Sequence, residues 1–442
     1  MKYSVNVNLN EKTGKIKPMH CINNVPAFYA DDLYKALSDA GVPLCRMHDT
    51  FVYRGADKMV DIPKIFPDFT ADENDEKSYD FAMTDALFSE MAKYNLKPLY
   101  RLGTSIENYQ CVKPYYIYPP KDNLKWAKIC EHVIKHYNDG WANGFHYNIE
   151  YWEIWNEPEN FQEIEDNQMW KGTPEQFYEL YRVSASYLKE RFPSLKFGGY
   201  ASCGFYAIFN EKSEVSAKVS SRTQYFIDYF ENFLKYISDE KHKAPLDFFS
   251  WHSYSAVERN IKYAEFCRKT LDKFGYTKTE HYLNEWNPGI MSRGTLADSS
   301  NILANMLVLQ DTSLDMLMYY DGKIDSVYCG LFNPLYAHLD LPIEKKLFKA
   351  YYSFVAFNEL YKIGEEVYSD NNKKPVFSVC AYNGKSGALL ITNNCEETNT
   401  VEINGIKEIK QANIISEEKD FQPVKADSVI SLKPYETILL KF

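Results

Sequence analysis

No stretch of this 442-residue chain is apolar for long enough to cross a bilayer, and none is a run of lysine and arginine. The first absence argues against a membrane partner. The second, with a net charge of −11, argues against a nucleic-acid partner, whose phosphates need a clustered positive face. No Cys-x-x-Cys pair occurs. The nine cysteines (Cys21, Cys45, Cys111, Cys130, Cys203, Cys267, Cys329, Cys380 and Cys395) are scattered and odd in number. A zinc site or disulfide framework is therefore not expected, and buried thiols in a reducing compartment are the simplest account. Gly289 and Gly294 are too sparse to form a phosphate-cradling loop late in the chain. The N-terminus, MKYSVNVNLN, alternates polar and apolar residues and has no leader-type apolar block, so a cytoplasmic protein is expected. There is no internal repeat or low-complexity tract.

What is present is an alternation. Apolar strand-like runs at 17–22, 43–46, 97–103, 149–156, 196–200, 248–252, 281–285 and 315–320 are separated by helical periodicity at 31–40, 79–94, 123–138, 174–192, 223–238, 257–274, 297–312 and 344–361. Eight strand–helix units in a row predict an α/β fold, a (β/α)8 TIM barrel over 13–361. Helix-to-strand links are mostly short. Several strand-to-helix links are long, at 47–78, 104–122, 201–222 and 321–343, and such loops gather on the face where barrels carry their sites. After 361 the texture becomes short strands with Asn383-Gly384 and Asn404-Gly405 turns, predicting a small C-terminal β-sandwich domain over 362–442. The N-terminal strand, 1–12, is expected to join it.

Two glutamates carry the chemistry. Glu157 lies in YWEIWNEPEN, at the end of the fourth strand, and Glu285 in HYLNEWNPG, at the end of the seventh. A carboxyl at each of two strand mouths is what retaining glycoside hydrolysis requires, one as general acid/base and one as nucleophile. Glu153, Trp155 and Glu157 share parity, so a regular strand puts them on one face. Glu157 is expected to be the acid/base, its pKa raised by a charged Glu285 about 5 Å away. Asn156 is placed to hold a sugar 2-hydroxyl. Glu285 must be ionised to attack, and Arg46 and Tyr254 are the candidates to keep it so. Arg46 needs a carboxylate partner of its own, and Glu153 is expected to be buried against an arginine. Trp155, Trp286 and the many other aromatics, 16% of the chain, offer stacking faces for sugars or simply core. His48, and His252 in the His252-x-Tyr254 pair, complete the candidate rim.

These residues resemble clan A of the glycoside hydrolases, and most closely glycoside hydrolase family 39, whose familiar members are β-xylosidases. The family's strand-four signature is Trp-x-Phe-Glu-x-Trp-Asn-Glu-Pro-Asp/Asn. This chain keeps Glu153-x-Trp155-Asn156-Glu157-Pro158 and departs at Glu150, Trp152 and Glu159. The resemblance extends to the segment 15–24 with His20 and Asn23, to Arg46-x-His48-Asp49, to His252-x-Tyr254 and to the C-terminal β-domain. It implies a retaining glycosidase acting on oligosaccharides, with Glu157 as acid/base, Glu285 as nucleophile, and Asn156, His252 and Tyr254 as binding and orienting groups. At the eighth strand Tyr320 and Asp321 stand where β-xylosidases typically place a tryptophan, which predicts a pocket that reads at least one more hydroxyl than a plain xylose pocket would.

Other readings weigh less. A metal-dependent hydrolase on this barrel would want His-x-His after strand one, where only His20 stands, and no cofactor is expected. A non-catalytic carbohydrate-binding barrel usually loses one carboxylate, and this chain keeps both. Exo action is the expectation, with terminal sugars of plant-type oligosaccharides as substrates. Arabinosidase or galactosyl-arabinosidase activity stays open, as does assembly into a homo-oligomer.

Overall fold

The computed structural model describes residues 1–26, 30–49, 59–106, 116–209, 217–324, 328–370 and 374–442, with backbone only at 217–220. Eight parallel strands close into a barrel: Cys21–Asn23, Cys45–Met47, Pro98–Leu102, Tyr151–Ile154, Lys196–Ser202, Phe248–Ser253, Glu280–Trp286 and Met316–Tyr319. The eighth returns to the first, with Cys21 opposite Met318 and Ile22 opposite Tyr319. Helices cover the outside, and local chemistry fixes where several begin. The Asp122 side chain accepts from the backbone N–H groups of Leu124 and Lys125 at the start of Asn123–Asn138. Thr173 and Gln176 form a reciprocal capping box before Pro174–Arg191. Thr295 caps Leu296–Gln310. The main apolar core lies between this helical layer and the strands, where Leu33, Phe88, Ile129, Leu180, Phe233 and Leu303 are buried.

The first barrel strand begins later than the expected 17–22. Pro18 has no N–H to donate, and the Met19 N–H donates to the Lys17 carbonyl, so the chain turns before it enters the barrel at Cys21. The N-terminal strand runs Lys2–Lys15, past the 1–12 read from the sequence. It pairs in parallel with Asn399–Asn404 and antiparallel with Glu365–Ser369. It thereby joins the C-terminal strands into one nine-stranded mixed sheet, which includes Asp420–Val424, a strand the alternation did not reveal. The Asn393 side chain, at the end of Gly387–Asn393, donates to the Leu432 carbonyl on a strand with four others between them in the sheet order. The sheet therefore folds over itself around Val5, Val401, Leu389, Ile391 and Leu440. Among the described residues the cysteines are free thiols, all buried except the half-buried Cys395. Cys111, and the parts of the long loops at 50–58, 107–115, 210–216 and 325–327, lie outside the described residues. Among the described residues no helix is long and apolar enough to cross a membrane.

Candidate active site

Inside the barrel the side chains turn from apolar to charged toward the C-terminal ends of the strands. The lowest layer is a plug of Cys21, Leu99, Phe248, Tyr282, Met316 and Met318. Alternation of side chains along a strand places Asn23, Arg46, Glu153, Ser250 and Asn284 in the next layer. Arg46 and Glu153 are both fully buried, and the Arg46 Nε donates to Glu153 Oε2 at 2.7 Å. The Glu153 Oε1 accepts from Ser250 Oγ and Asn284 Nδ2, each at 2.6 Å. The guanidinium also donates to Asn23 Oδ1 at 3.0 Å, Asn156 Oδ1 at 2.7 Å and Glu285 Oε2 at 3.3 Å. A buried charge this fully paired is a rigid anchor for whatever stands above it.

Two local irregularities aim the upper layer. On the seventh strand the register slips by one residue: Trp251 faces Leu283, but His252 faces Glu285. The extra residue, Asn284, is a β-bulge, and it lets Asn284 and Glu285 both serve the interior. On the fourth strand regular structure ends at Ile154, and Trp155 (φ 74°) and Glu157 (φ 46°) take left-handed backbone conformations that bulky residues rarely adopt. The turn is pinned from both sides. The Trp155 N–H donates to the Leu102 carbonyl at 2.7 Å, and the Glu157 N–H is shared by the carbonyls of Tyr200 and Ala201. Gly103, at φ 140°, lies under the Trp155 ring, where an added Cβ would stand 3.1 Å from it.

The result brings an oxygen of Glu157, a nitrogen of His252 and an oxygen of Glu285 within 4.8 Å of one another. Glu157 faces His252 Nδ1 at 2.8 Å and accepts from Asn160 Nδ2 at 2.9 Å. Glu285 accepts from the Tyr254 hydroxyl at 2.5 Å and from Arg46, and His48 Nε2 stands 3.7 Å away. Burial and the Arg46 charge hold the His48 imidazole well below its usual pKa, so it is neutral. Asn156 accepts from Arg46 through its side-chain carbonyl oxygen and so stands beside the anchor of Glu285.

The protonation pattern reverses the expectation from sequence. Burial, reinforced by the Glu157 charge, raises the pKa of Glu285 despite the pull of His252 and Arg46. Glu157, at the rim, is partly desolvated too, but the hydrogen bond and charge of His252 outweigh burial and lower its pKa. His252 is desolvated too, yet the two carboxylates raise its pKa. These directions favour His252, one hydrogen bond from Glu157, as the holder of the proton the cluster shares. The same three groups could ligate a cation, but the Arg46 guanidinium already supplies positive charge beside Glu285 and disfavours a second one.

Four sequence expectations need correction. Trp286 is 0% exposed. After the bulge its ring turns outward and packs edge-on against Tyr319, so it offers no stacking face. Trp155 does not share a face with Glu153 and Glu157, because the left-handed turn swings it into Trp126, Trp170 and Phe177. Asp321 is 0% exposed and is turned back onto the backbone and ammonium of Lys323, while burial pushes its pKa up to about 7. The Tyr320 hydroxyl is already given to Asp49 Oδ2 at 2.6 Å. The polar group that these residues build near His48 is Asp49, held by Asn24, Tyr320 and Lys323, of which the sequence pointed to Asp49 and Tyr320 but not to Asn24 or Lys323. It also missed Asn160, although a residue three positions after Glu157 in a turn is a natural partner for it. Removing the Tyr320 donor should loosen Asp49: Tyr320→Phe is expected to lower kcat/KM about tenfold, the worth of one hydrogen bond to a charged group, in steady-state assays.

Comparison with known proteins places this geometry. A family model described as glycosyl hydrolases family 39 matches residues 13–308. A β-xylosidase of Geobacillus stearothermophilus is 23% identical over 335 residues, 70% of this chain and 59% of that protein, so the chain spans rather less than two thirds of that relative's length. Among solved structures, a glucosidase from Croceicoccus marinus superposes with a TM-score of 0.73 at 19% identity, covering 100% of this chain and 99% of the other. A monomeric β-xylosidase from Caulobacter crescentus gives 0.65 at 13% identity, covering 99% of each. At those identities the structures speak for the fold alone. The family match covers most of the chain and contains both strand-end glutamates, and on that ground the chain belongs to glycoside hydrolase family 39.

Proposed function

We propose that this protein is a retaining exo-glycosidase of β-xylosidase type, acting on terminal sugars of plant-type oligosaccharides. The observation that carries the reading is that one oxygen of Glu157 and one of Glu285 lie within 4.8 Å of each other, a close pairing that favours the short separation of retaining enzymes over the wider one that houses a water. In the first step a Glu285 oxygen forms a bond to the anomeric carbon as the glycosidic C–O bond breaks, and the departing oxygen takes a proton from Glu157. That proton reaches Glu157 from His252 Nδ1 across their 2.8 Å contact. In the second step Glu157 removes a proton from water, the water oxygen bonds to the anomeric carbon, and Glu285 leaves as carboxylate. Arg46 and Tyr254 stabilise the charge that returns to Glu285. A panel of nitrophenyl glycosides, with the anomer of the first-formed product read by NMR, tests this. Turnover with retention, strongest on the xyloside, is expected; inversion, or no turnover on any member, would refute it.

The pH profile follows from the same groups. Glu285 must be ionised, so activity rises as pH climbs through its raised pKa. The proton shared by Glu157 and His252 must be present, so activity falls as pH climbs through the raised pKa of His252. A bell is expected whose acidic limb lies above the ordinary carboxylate value and whose alkaline limb lies above the ordinary imidazole value. Both limbs belong to the coupled cluster. Measurement of kcat/KM against pH checks it, and a profile flat or rising from pH 6 to 9 would contradict the shared proton.

A further inference from the structure

Beside the acid lies a cavity of about 440 Å3 between the ends of strands four, five and six and the helix Ala217–Ser238. Its walls include Glu157 and His252 but not Glu285, Arg46 or Asp49. The sugar under attack must sit over Glu285, so space that borders Glu157 and not Glu285 itself lies on the far side of the bond to be broken. Tyr206, Phe226 and the 41%-exposed Tyr254 give this space aromatic walls, suited to a sugar ring.

Arg222 stands in the same wall. Its Nε donates to the Asn160 carbonyl at 2.9 Å, and its guanidinium carbon lies 4.0 Å from the Phe161 ring centre and 5.5 Å from that of Phe226. These contacts fix the plane of the fork. Its two terminal NH2 groups have no hydrogen-bond partner among the described residues. That is unusual in this chain. Arg46, Arg101, Arg182, Arg191, Arg268 and Arg293 all pair with carboxylates. Among the described arginines only Arg222 and the solvent-exposed Arg259 do not, although the protein carries a net charge of −11. A half-buried guanidinium held flat, with its fork open to a cavity, is built to receive a planar anion from outside the protein.

We propose that this cavity is the leaving-group subsite and that Arg222 makes it select glycosides whose leaving sugar carries a carboxylate, that is, a uronic acid. The inference rests on the glycosidase reading above. Arg222 acts on specificity, not on the bond-breaking itself. Its closeness to the Asn160 carbonyl also ties occupancy of the fork to the residue that donates to Glu157.

The test compares two disaccharides that differ only in charge: the preferred glycone linked to glucuronic acid, and the methyl ester of the same compound. The leaving oxygen is the same in both. Wild-type kcat/KM is expected to favour the acid by on the order of tenfold or more, and raising salt should shrink the ratio. Arg222→Gln should bring the ratio near one, and Arg222→Lys should keep part of it. Equal turnover of acid and ester by the wild type overturns the proposal without any variant, as does an undiminished preference in Arg222→Gln. If nitrophenyl glycosides are cleaved with retention while acid and ester are treated alike, only the leaving-group inference fails. If no glycoside is cleaved, the glycosidase reading fails and takes this one with it.

Discussion

Replacing Glu285 by alanine should abolish turnover of every glycoside, by on the order of 10⁴–10⁶-fold, whatever the leaving group, if the proposed double displacement holds, because among the described residues Glu285 is the carboxylate paired with Glu157 and His252 in the pocket. Glu157→Ala should behave differently. With an unactivated leaving sugar, loss of proton donation should cost about 10²–10⁴-fold. With a dinitrophenyl or similar leaving group, which departs without a proton, the first step should be nearly spared and the second should limit, so a burst is expected. Azide should then rescue turnover by attacking from the side that Glu157 vacates, giving a glycosyl azide with the substrate's anomeric configuration. The fold should tolerate both changes, since Arg46 keeps Glu153 when Glu285 is gone and Glu157 lies at the rim. Circular dichroism of the variants checks that point. Equal losses on good and poor leaving groups in Glu157→Ala would remove it from the acid/base role.

Much of this site was legible in the sequence, and the reasons are specific. Glu157 and Glu285 announce themselves because each ends an apolar run at a predictable place in an eightfold alternation. The Arg46–Glu153 pair was foreseeable because an arginine in a barrel cannot stay uncompensated. What alternation could not give are the departures from it. The inward placement of Asn284 together with Glu285 depends on a one-residue bulge, and the outward placement of Trp155 depends on a left-handed turn. Period-two reasoning puts both on the wrong face. Trp286 and Trp155 look like sugar platforms because aromatics near strand ends serve either purpose, and only the packing decides. The reversed protonation of Glu157 and Glu285 was not legible either. It depends on His252 pointing Nδ1 at one carboxylate while standing 3.5 Å from the other.

The anchor beneath the site should matter to stability as much as the site matters to rate. Glu153→Leu removes the fully buried carboxylate that pairs with a fully buried guanidinium and strands the Ser250 hydroxyl and the Asn284 amide, both donors to the same carboxylate oxygen. Loss of one member of such a pair costs about 3–5 kcal/mol. Asp39→Ala, which breaks the exposed Lys35–Asp39 pair on the first helix, should cost no more than about 0.5 kcal/mol and serves as the internal control. Urea unfolding of both variants beside the wild type measures the contrast; a Glu153→Leu midpoint as close to wild type as that of Asp39→Ala would overturn the anchor. Glu153→Gln separates charge from packing. It retains an acceptor for Ser250 or Asn284 but leaves the Arg46 charge to Glu285 alone at 3.3 Å. A more fully available guanidinium favours the ionised nucleophile, so Glu285 should lose its proton at lower pH. The acidic limb of the activity profile should move down in Glu153→Gln while the alkaline limb, set by His252 and Glu157, stays nearly in place. If the acidic limb stays put or moves up, Arg46 is not the group that balances burial at Glu285.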